Sequence, residues 1–304
     1  MIIKNQIEDS LYNTSVALGL FDGIHLGHLS VISNMINNSN HTLIPTIFTF
    51  MDTYNSNKKC KQVDELITQS SKNKLLKNLG VKMLYQVKFA SVSHMTPNEF
   101  VDNILCSTLK AKKVFCGFNY HFGYGGKADA EDLKTLCLKR NIEVNISDPI
   151  LYNGNPISST RIRKCIKDAK LEDVKNMLGR PFFIEGPVQN GQKIGRTISV
   201  PTINQTFEKG LIIPKFGVYL SNVIINEKNY FGITNIGTRP TVGGNFPNIE
   251  TWLPDYNGQD LYDINVKIEL IKYLREEKKF SSLNGLKTAI LHDAQTARNI
   301  YNKL

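Results

Sequence analysis

The 304-residue sequence has no apolar stretch approaching the roughly 20 residues that a membrane-spanning helix needs. Nor does MIIKNQIEDS contain the apolar core of a secretory signal, so a cytoplasmic protein is expected, with no membrane partner. Cysteine is scarce: Cys60, Cys106, Cys116, Cys137 and Cys165 are odd in number and never spaced CxxC. That pattern argues against a disulfide framework and against a zinc site, and reads as reduced packing residues. Also missing are an RNP signature, a paired Cys/His finger and any basic block longer than pairs such as Lys58-Lys59. The net charge of +10 therefore reads as a solvated surface, or as a protein handling small polyphosphates, and nucleic acid is not an expected partner. No internal repeat or low-complexity tract occurs.

What is present suffices for a sizeable core: 41% of the residues are hydrophobic, and the length suggests two domains. From residue 15 to about residue 150, apolar runs (SVALGLF, LIPTIFTF, VKMLYQVKF, KKVFCGF, IEVNIS) alternate with helical segments, the pattern of a parallel sheet with crossover helices. One helix start is clear in MTPNEFVDNIL, where Thr96, Pro97 and Glu99 supply an N-cap, a first-turn proline and a capping-box acid; Gly80 stops the helix before it. SSTRIRKCIKDAKLEDVKNML is still helical, so a boundary is placed near LGRPF, giving domains 1–180 and 181–304. Beyond it, FFIEGPV, FGVYLSNVII, YFGITNI, IETWL and INVKIELIKYL are divided by Gly, Pro and Asn turns, which predicts a small antiparallel barrel closed by a C-terminal helix.

GLFDGIHLGH follows the first buried run and precedes a helical pattern. A strand, a glycine-relaxed bend and a helix start present unpaired N–H groups and a positive dipole end to an anion. His25 and His28, three apart at that entrance, can both face one concavity and bond phosphate oxygens whose charge grows during displacement at phosphorus. Gly19, Phe21, Asp22 and Gly23 of the same turn are candidate nucleotide-binding residues. A capping pair of histidines, or half a metal site, are the competing readings. GFNYHFGYGG follows the fourth run and shares the carboxyl edge of the sheet: Asn119 can meet a nucleotide, and Phe118, Tyr120 and Phe122 can wall a planar ring, unless the loop holds only a buried aromatic. In ISSTRIR, Ser159 and Thr160 offer caps and hydroxyls, while Arg161 and Arg163 oppose the helix dipole, a placement tolerable with an anion bound there.

In the second half, GQKIGRTISVPTIN is a glycine-punctuated basic loop whose Gly191, Lys193, Gly195 and Arg196 are candidate nucleotide-binding residues, unless the loop is a β-turn with a solvated lysine. Thr202 and Asn204, an alcohol and an amide oxygen, suit Mg²⁺ together with ATP. Glu250 alternates with apolar neighbours in a strand, where a carboxylate is either salt-bridged or a base for an alcohol attacking the γ-phosphate.

Taken in order, GLFDGIHLGH, GFNYHFG, ISSTRIR, LGRPF, GRTISVPTIN, NIGTRPT, IETWL and YLREEKKF resemble the bacterial bifunctional riboflavin kinase/FAD synthetase family along nearly the whole chain. The resemblance implies an α/β nucleotidyltransferase-like, Rossmann-like parallel sheet followed by the small barrel. It implies that the second module phosphorylates riboflavin to FMN and that the first adenylylates FMN to FAD, with ATP as co-substrate and Mg²⁺ as metal. By motif position His25 and His28 stabilise the transferring phosphate, Asn119 lies near metal and phosphate, and Ser159, Thr160 and Arg163 bind ATP phosphates and orient the substrate. Thr202 and Asn204 hold Mg²⁺ and ATP, Glu250 is the general base, and Arg275 of YLREEKKF joins the binding residues. Three departures stand out: TFMDTY where the family has TFxPHP, His121 in place of an arginine, and Ser199 in place of a glycine. An ordinary extended backbone is expected at Ser199, which leaves the kinase intact; a single-activity adenylyltransferase with a non-catalytic flavin-binding barrel is the alternative. An RNA-binding flavin sensor is a third reading, marked by a steep salt dependence of RNA affinity.

Overall fold

Side-chain alternation along the early strands sets up two buried faces. The computed structural model describes residues 1–39, 42–51, 64–191, 199–241, 244–278 and 280–303, and these divide into two compact units, Met1–Ser159 and Thr160–Leu304.

In the first unit, β1 (Ile2–Lys4), β2 (Thr14–Leu18), β3 (Ile44–Phe50), β4 (Met83–Val87), β5 (Ala111–Gly117) and β6 (Glu143–Ser147) form one sheet in the order β1-β4-β3-β2-β5-β6, every pair parallel. Both faces are covered, as parallel sheets require. Ala17, Ile47, Leu84 and Phe115 meet α1 (Leu26–Asn37) and α2 (Gln69–Asn78) on one face. Val16, Leu18, Phe48, Tyr85 and Cys116 meet α3 (Pro97–Glu99), its π-helical continuation Phe100–Thr108, and α4 (Ala130–Leu138) on the other. The chain steps from β2 outward through β3 to β4 and then crosses to β5, so the strand order reverses between β2 and β5. Open sheets of this kind hold ligands there, outside the carboxyl ends. The capping box forms as expected: Thr96 Oγ1 accepts from Glu99 N at 3.3 Å and Glu99 Oε2 accepts from Thr96 N at 2.7 Å. Strand β1 has no counterpart among the expected strands; its three residues are short and mostly exposed.

The hairpin β7 (Leu151–Tyr152)–β8 (Asn155–Pro156) and helix α5 (Ser159–Lys167) lead to α6 (Leu171–Leu178). The long helical segment expected here is thus two helices, broken where Ala169 takes a φ of 56°. In the second unit β9 (Phe182–Pro187), β10 (Thr202–Thr206), β11 (Gly217–Ile225), β12 (Lys228–Thr241), β13 (Gly244–Trp252) and β14 (Asn265–Arg275) form an antiparallel sheet, ordered β10-β13-β12-β11-β14-β9. Its two end strands meet: Gln189 bridges Asn204, and Gln205 Nε2 donates to the Gly186 carbonyl at 2.6 Å, which curls the sheet toward a barrel. The C-terminal helix α7 (Leu283–Tyr301) packs Ala294, Ala297 and Ile300 on Val218, Leu220, Phe231 and Ile233.

Candidate active sites

The first site is built on a bend that needs unusual backbone. After β2, Phe21, Gly23 and Ile24 have φ of 51°, 77° and 42°, and a side chain at Gly23 would press on Leu66. Non-glycine residues in that region are strained and persist only where the surroundings impose them. Here Asp22 Oδ1 accepts from Leu66 N at 2.9 Å, Ser159 Oγ donates to the Asp22 carbonyl at 3.0 Å, and the Leu20 carbonyl accepts from Thr49 Oγ1 at 3.0 Å and from Lys72 Nζ at 2.6 Å.

The bend delivers His25 as the N-cap of α1, where its Nδ1 accepts from His28 N at 3.3 Å. In a neutral ring this leaves the proton on Nε2, a donor. The two imidazoles stack with centroids 3.6 Å apart, and Phe21 meets His28 edge-on. Burial first, then the neighbouring His25 and the Lys72 ammonium, hold the His28 pKa well below the usual histidine range, so the ring is neutral at pH 7. Its Nδ1 is buried without a hydrogen-bond partner. The capping reading thus holds for His25, and it leaves the Nε2 of that ring unused by the cap.

Other first-half candidates divide. Phe21, expected to touch the nucleotide, is 1% exposed and packs in the core with Ala17, Ile24 and Phe115, where its ring supports His28 from beneath the bend, because a large apolar ring gains more from burial. Asp22 is buried as a brace of the loop. Asn119 is exposed just beyond β5, adjacent to β2, with its Oδ1 folded back over Gly117. The expected aromatic wall does not form: Phe122 is buried and Tyr120 stacks on it at 5.9 Å, both against the core, leaving Phe118 exposed. Thr160 and Arg163 follow Ser159 on α5, which belongs from Thr160 onward to the second unit.

In the second unit, strand register assembles the site. Asn204 pairs with Glu250, Glu250 with Asn235, Asn235 with Val218, and Val218 with Arg275. One row across five strands thus carries three polar groups and an arginine drawn from four of them. A second row places Thr202 beside Trp252 and Ile233. Since alternate residues face opposite ways, Ile249 and Thr251 point into the barrel while Glu250 and Trp252 line a cavity of about 530 Å³ under α7. That volume lies in the range of small-molecule sites.

Asn204 is buried and its Oδ1 has no partner among the described residues, and a Cβ at Gly191 would sit 2.7 Å from its Cγ, so only glycine leaves the amide in place. An unpaired amide oxygen beside the Glu250 carboxylate, with the Thr202 hydroxyl on the same strand face, is a hard oxygen set that fits Mg²⁺. Arg275 lines the cavity, but its guanidinium is held by Asp293 of α7, with contacts of 2.7 to 3.0 Å. Asp293 and Glu277, which Asn235 Nδ2 reaches at 3.4 Å, also line the cavity and are missing from the expected set. Lys193, Gly195 and Arg196 lie outside the described residues. Ser199 corrects the expectation of extended backbone: its φ is 60°, because the chain turns there to bury Val200 in the cavity wall.

Two family models match the chain in tandem, FAD synthetase over residues 7–161 and riboflavin kinase over residues 178–301. A bifunctional riboflavin kinase/FMN adenylyltransferase of Listeria monocytogenes is 33% identical over 96% of this chain and 94% of its own. One from Bacillus subtilis is 31% identical over 98% and 96%. The chain belongs to the bifunctional riboflavin kinase/FMN adenylyltransferase family. Its FAD synthetase part carries the His25–His28 bend and its riboflavin kinase part the Asn204–Glu250 row, and enzymes of both kinds use ATP. A solved structure from Streptococcus pneumoniae, described as a macrolide-efflux protein, superposes with a TM-score of 0.88 at 28% identity, covering 98% of this chain and 99% of its own. Among the described residues of this family member, no helix is long and apolar enough to cross a membrane.

Proposed function

We propose that this chain makes FMN from riboflavin in the cavity under α7 and FAD from FMN at the His25–His28 bend, with the cytoplasm as the place of both reactions. Residues 1–180 are assigned to adenylyl transfer and 181–304 to the kinase. Riboflavin, FMN, FAD and ATP are the ligands.

For adenylyl transfer, an FMN phosphate oxygen attacks the α-phosphorus of ATP, the bond to the β-phosphate bridge breaks, and pyrophosphate leaves. Charge grows on the α-phosphate oxygens in the transition state. The His25 ring and the neutral His28 ring donate there, and the N-terminus of α1 adds its dipole. Asn119, at the adjacent strand end, orients the nucleotide. The observation that carries this assignment is the stacked histidine pair at a helix N-terminus on the strand-order reversal of the sheet.

For the kinase, the ribityl hydroxyl of riboflavin attacks the γ-phosphorus, its proton passes to Glu250, and ADP leaves. Thr202 and Asn204 would hold Mg²⁺, which supplies charge neutralisation on the ATP phosphates when bound. Trp252 gives the flavin an aromatic wall, and Asp293 fixes the Arg275 guanidinium rather than leaving it to a phosphate.

The test is incubation with riboflavin, ATP and Mg²⁺ and chromatographic separation of the flavins over time. Wild type should show FMN rising before FAD. His28→Ala should stop at FMN, with adenylylation reduced about 10²–10³-fold, the usual cost of one oxyanion donor. Equal loss of both activities in the folded variant would refute separate sites.

A further inference from the structure

Helix α2 contributes a lysine to the wrong side of itself. Lys72 and Leu76, one turn apart, share the buried face of α2; Lys72 is 6% exposed and Leu76 fully buried. Burying an ammonium is costly, and a lysine can normally reach water along its flexible stem. Lys72 instead sends its Nζ inward, donating to the Leu20 carbonyl at 2.6 Å and to Thr49 Oγ1 at 3.2 Å. Thr49, itself fully buried, donates to the same carbonyl.

Leu20 opens the bend in which Phe21, Gly23 and Ile24 are left-handed. A bend of that kind needs outside restraint, and a charge-assisted bond to a carbonyl at its entry is the stronger sort. We propose that Lys72 is a positioning residue for adenylyl transfer: its ammonium, bonded to the Leu20 carbonyl and Thr49, holds the strained Gly19–His28 turn in the geometry that aims the two histidines. The proposal rests on reading that turn as the adenylyl-transfer site.

Charge gives Lys72 a second effect on the same histidines. Burial brings its pKa down from the ordinary lysine value to about 8, with the Asp22 and Glu65 carboxylates opposing the fall, so it is mostly charged at pH 7. After burial and the neighbouring His25, that charge also disfavours the proton on His28, whose ring is neutral. The charged and titratable groups facing Lys72 are Asp22 of the bend, Glu65 before α2, and His28 of α1. The His28 pKa lies well below the usual histidine range. An alkaline limb near pH 8 would therefore belong to Lys72.

The experiment compares wild type, Lys72→Met, Lys72→Arg and His28→Ala as full-length chains, measuring FMN adenylylation from pH 6 to 10 and riboflavin phosphorylation as the control for folding. Lys72→Met should lower kcat for adenylylation by about 10²-fold, the scale of misplacing a catalytic group by an ångström, with KM for ATP and FMN little changed and phosphorylation at the wild-type rate. Wild type should lose adenylylation with an apparent pKa near 8, and Lys72→Arg, which stays charged, should keep activity above it. An unchanged kcat in Lys72→Met overturns the proposal. If that variant does not fold, the pH profiles decide: a limb at the same pH in wild type and Lys72→Arg overturns it equally. Full adenylylation by His28→Ala is the separate result that would remove the reading of the site itself.

Discussion

A serine at φ 60° puts a β-carbon where only glycine is comfortable, and Ser199 pays that cost within reach of the kinase cavity. Steric strain of this kind runs to about 1–2 kcal/mol, part of which a glycine gives back through the freer unfolded chain, so Ser199→Gly should stabilise the protein by about 0.5–1 kcal/mol. A urea midpoint measured for both chains checks it, and a lower midpoint in the variant would show that the serine hydroxyl compensates. Kinase turnover should be no lower than wild type, since the backbone path that buries Val200 is kept. Single residues differ in how far sequence exposes them. The bend that carries His25 and His28 is legible, because a buried run, two glycines and a helical pattern follow one another there. Lys72 is not, because α2 also carries Lys74 and Lys77 and nothing in their order says which one faces inward. Phe21 is misread for the opposite reason: it stands inside the candidate motif, and its own ring obeys burial.

Elements add what no residue has alone, which is alignment. The apolar runs of the first half become β2 to β6 nearly as spaced, since a buried parallel strand is apolar on both faces; the edge strand β6 instead alternates. The row Asn204–Glu250–Asn235–Val218–Arg275 is not legible: its members are separated by tens of residues, and pairing register is decided by the sheet as a whole. Strand β10 appears in the sequence only as the exit of a glycine loop, yet it sets Asn204 opposite Glu250. Gly191 shows how narrow this placement is. With a Cβ there, the Asn204 amide must rotate away, because Cγ and Oδ1 would lie at 2.7 and 2.9 Å. Gly191→Ala should therefore raise the Mg²⁺ concentration needed for riboflavin phosphorylation and cut turnover by up to about 10²-fold, leaving FMN adenylylation unaltered. A Mg²⁺ titration of both activities reads this directly, and an unchanged titration curve would exclude Asn204 from the metal site.

At the scale of the whole molecule, each unit has its own hydrophobic core, two clusters on the faces of the parallel sheet and one beneath α7, and each candidate site draws on the core of its own unit. Chemistry organised in that way should fail one step at a time. Glu250→Gln keeps the side-chain shape and one acceptor oxygen, which retains the contact from Asn248 Nδ2 at 3.0 Å, but the amide cannot take the ribityl proton. Loss of a general base costs about 10²–10⁴-fold, so riboflavin and ATP should yield almost no FMN and hence no FAD. Given FMN directly, the same variant should form FAD at the wild-type rate, because the His25–His28 bend lies in the other unit. The two feeds, run side by side and resolved by chromatography, separate a lost base from a damaged fold. A variant that still phosphorylates riboflavin would reduce Glu250 to a structural carboxylate, and one that fails on both feeds would show that the two sites are coupled through the fold.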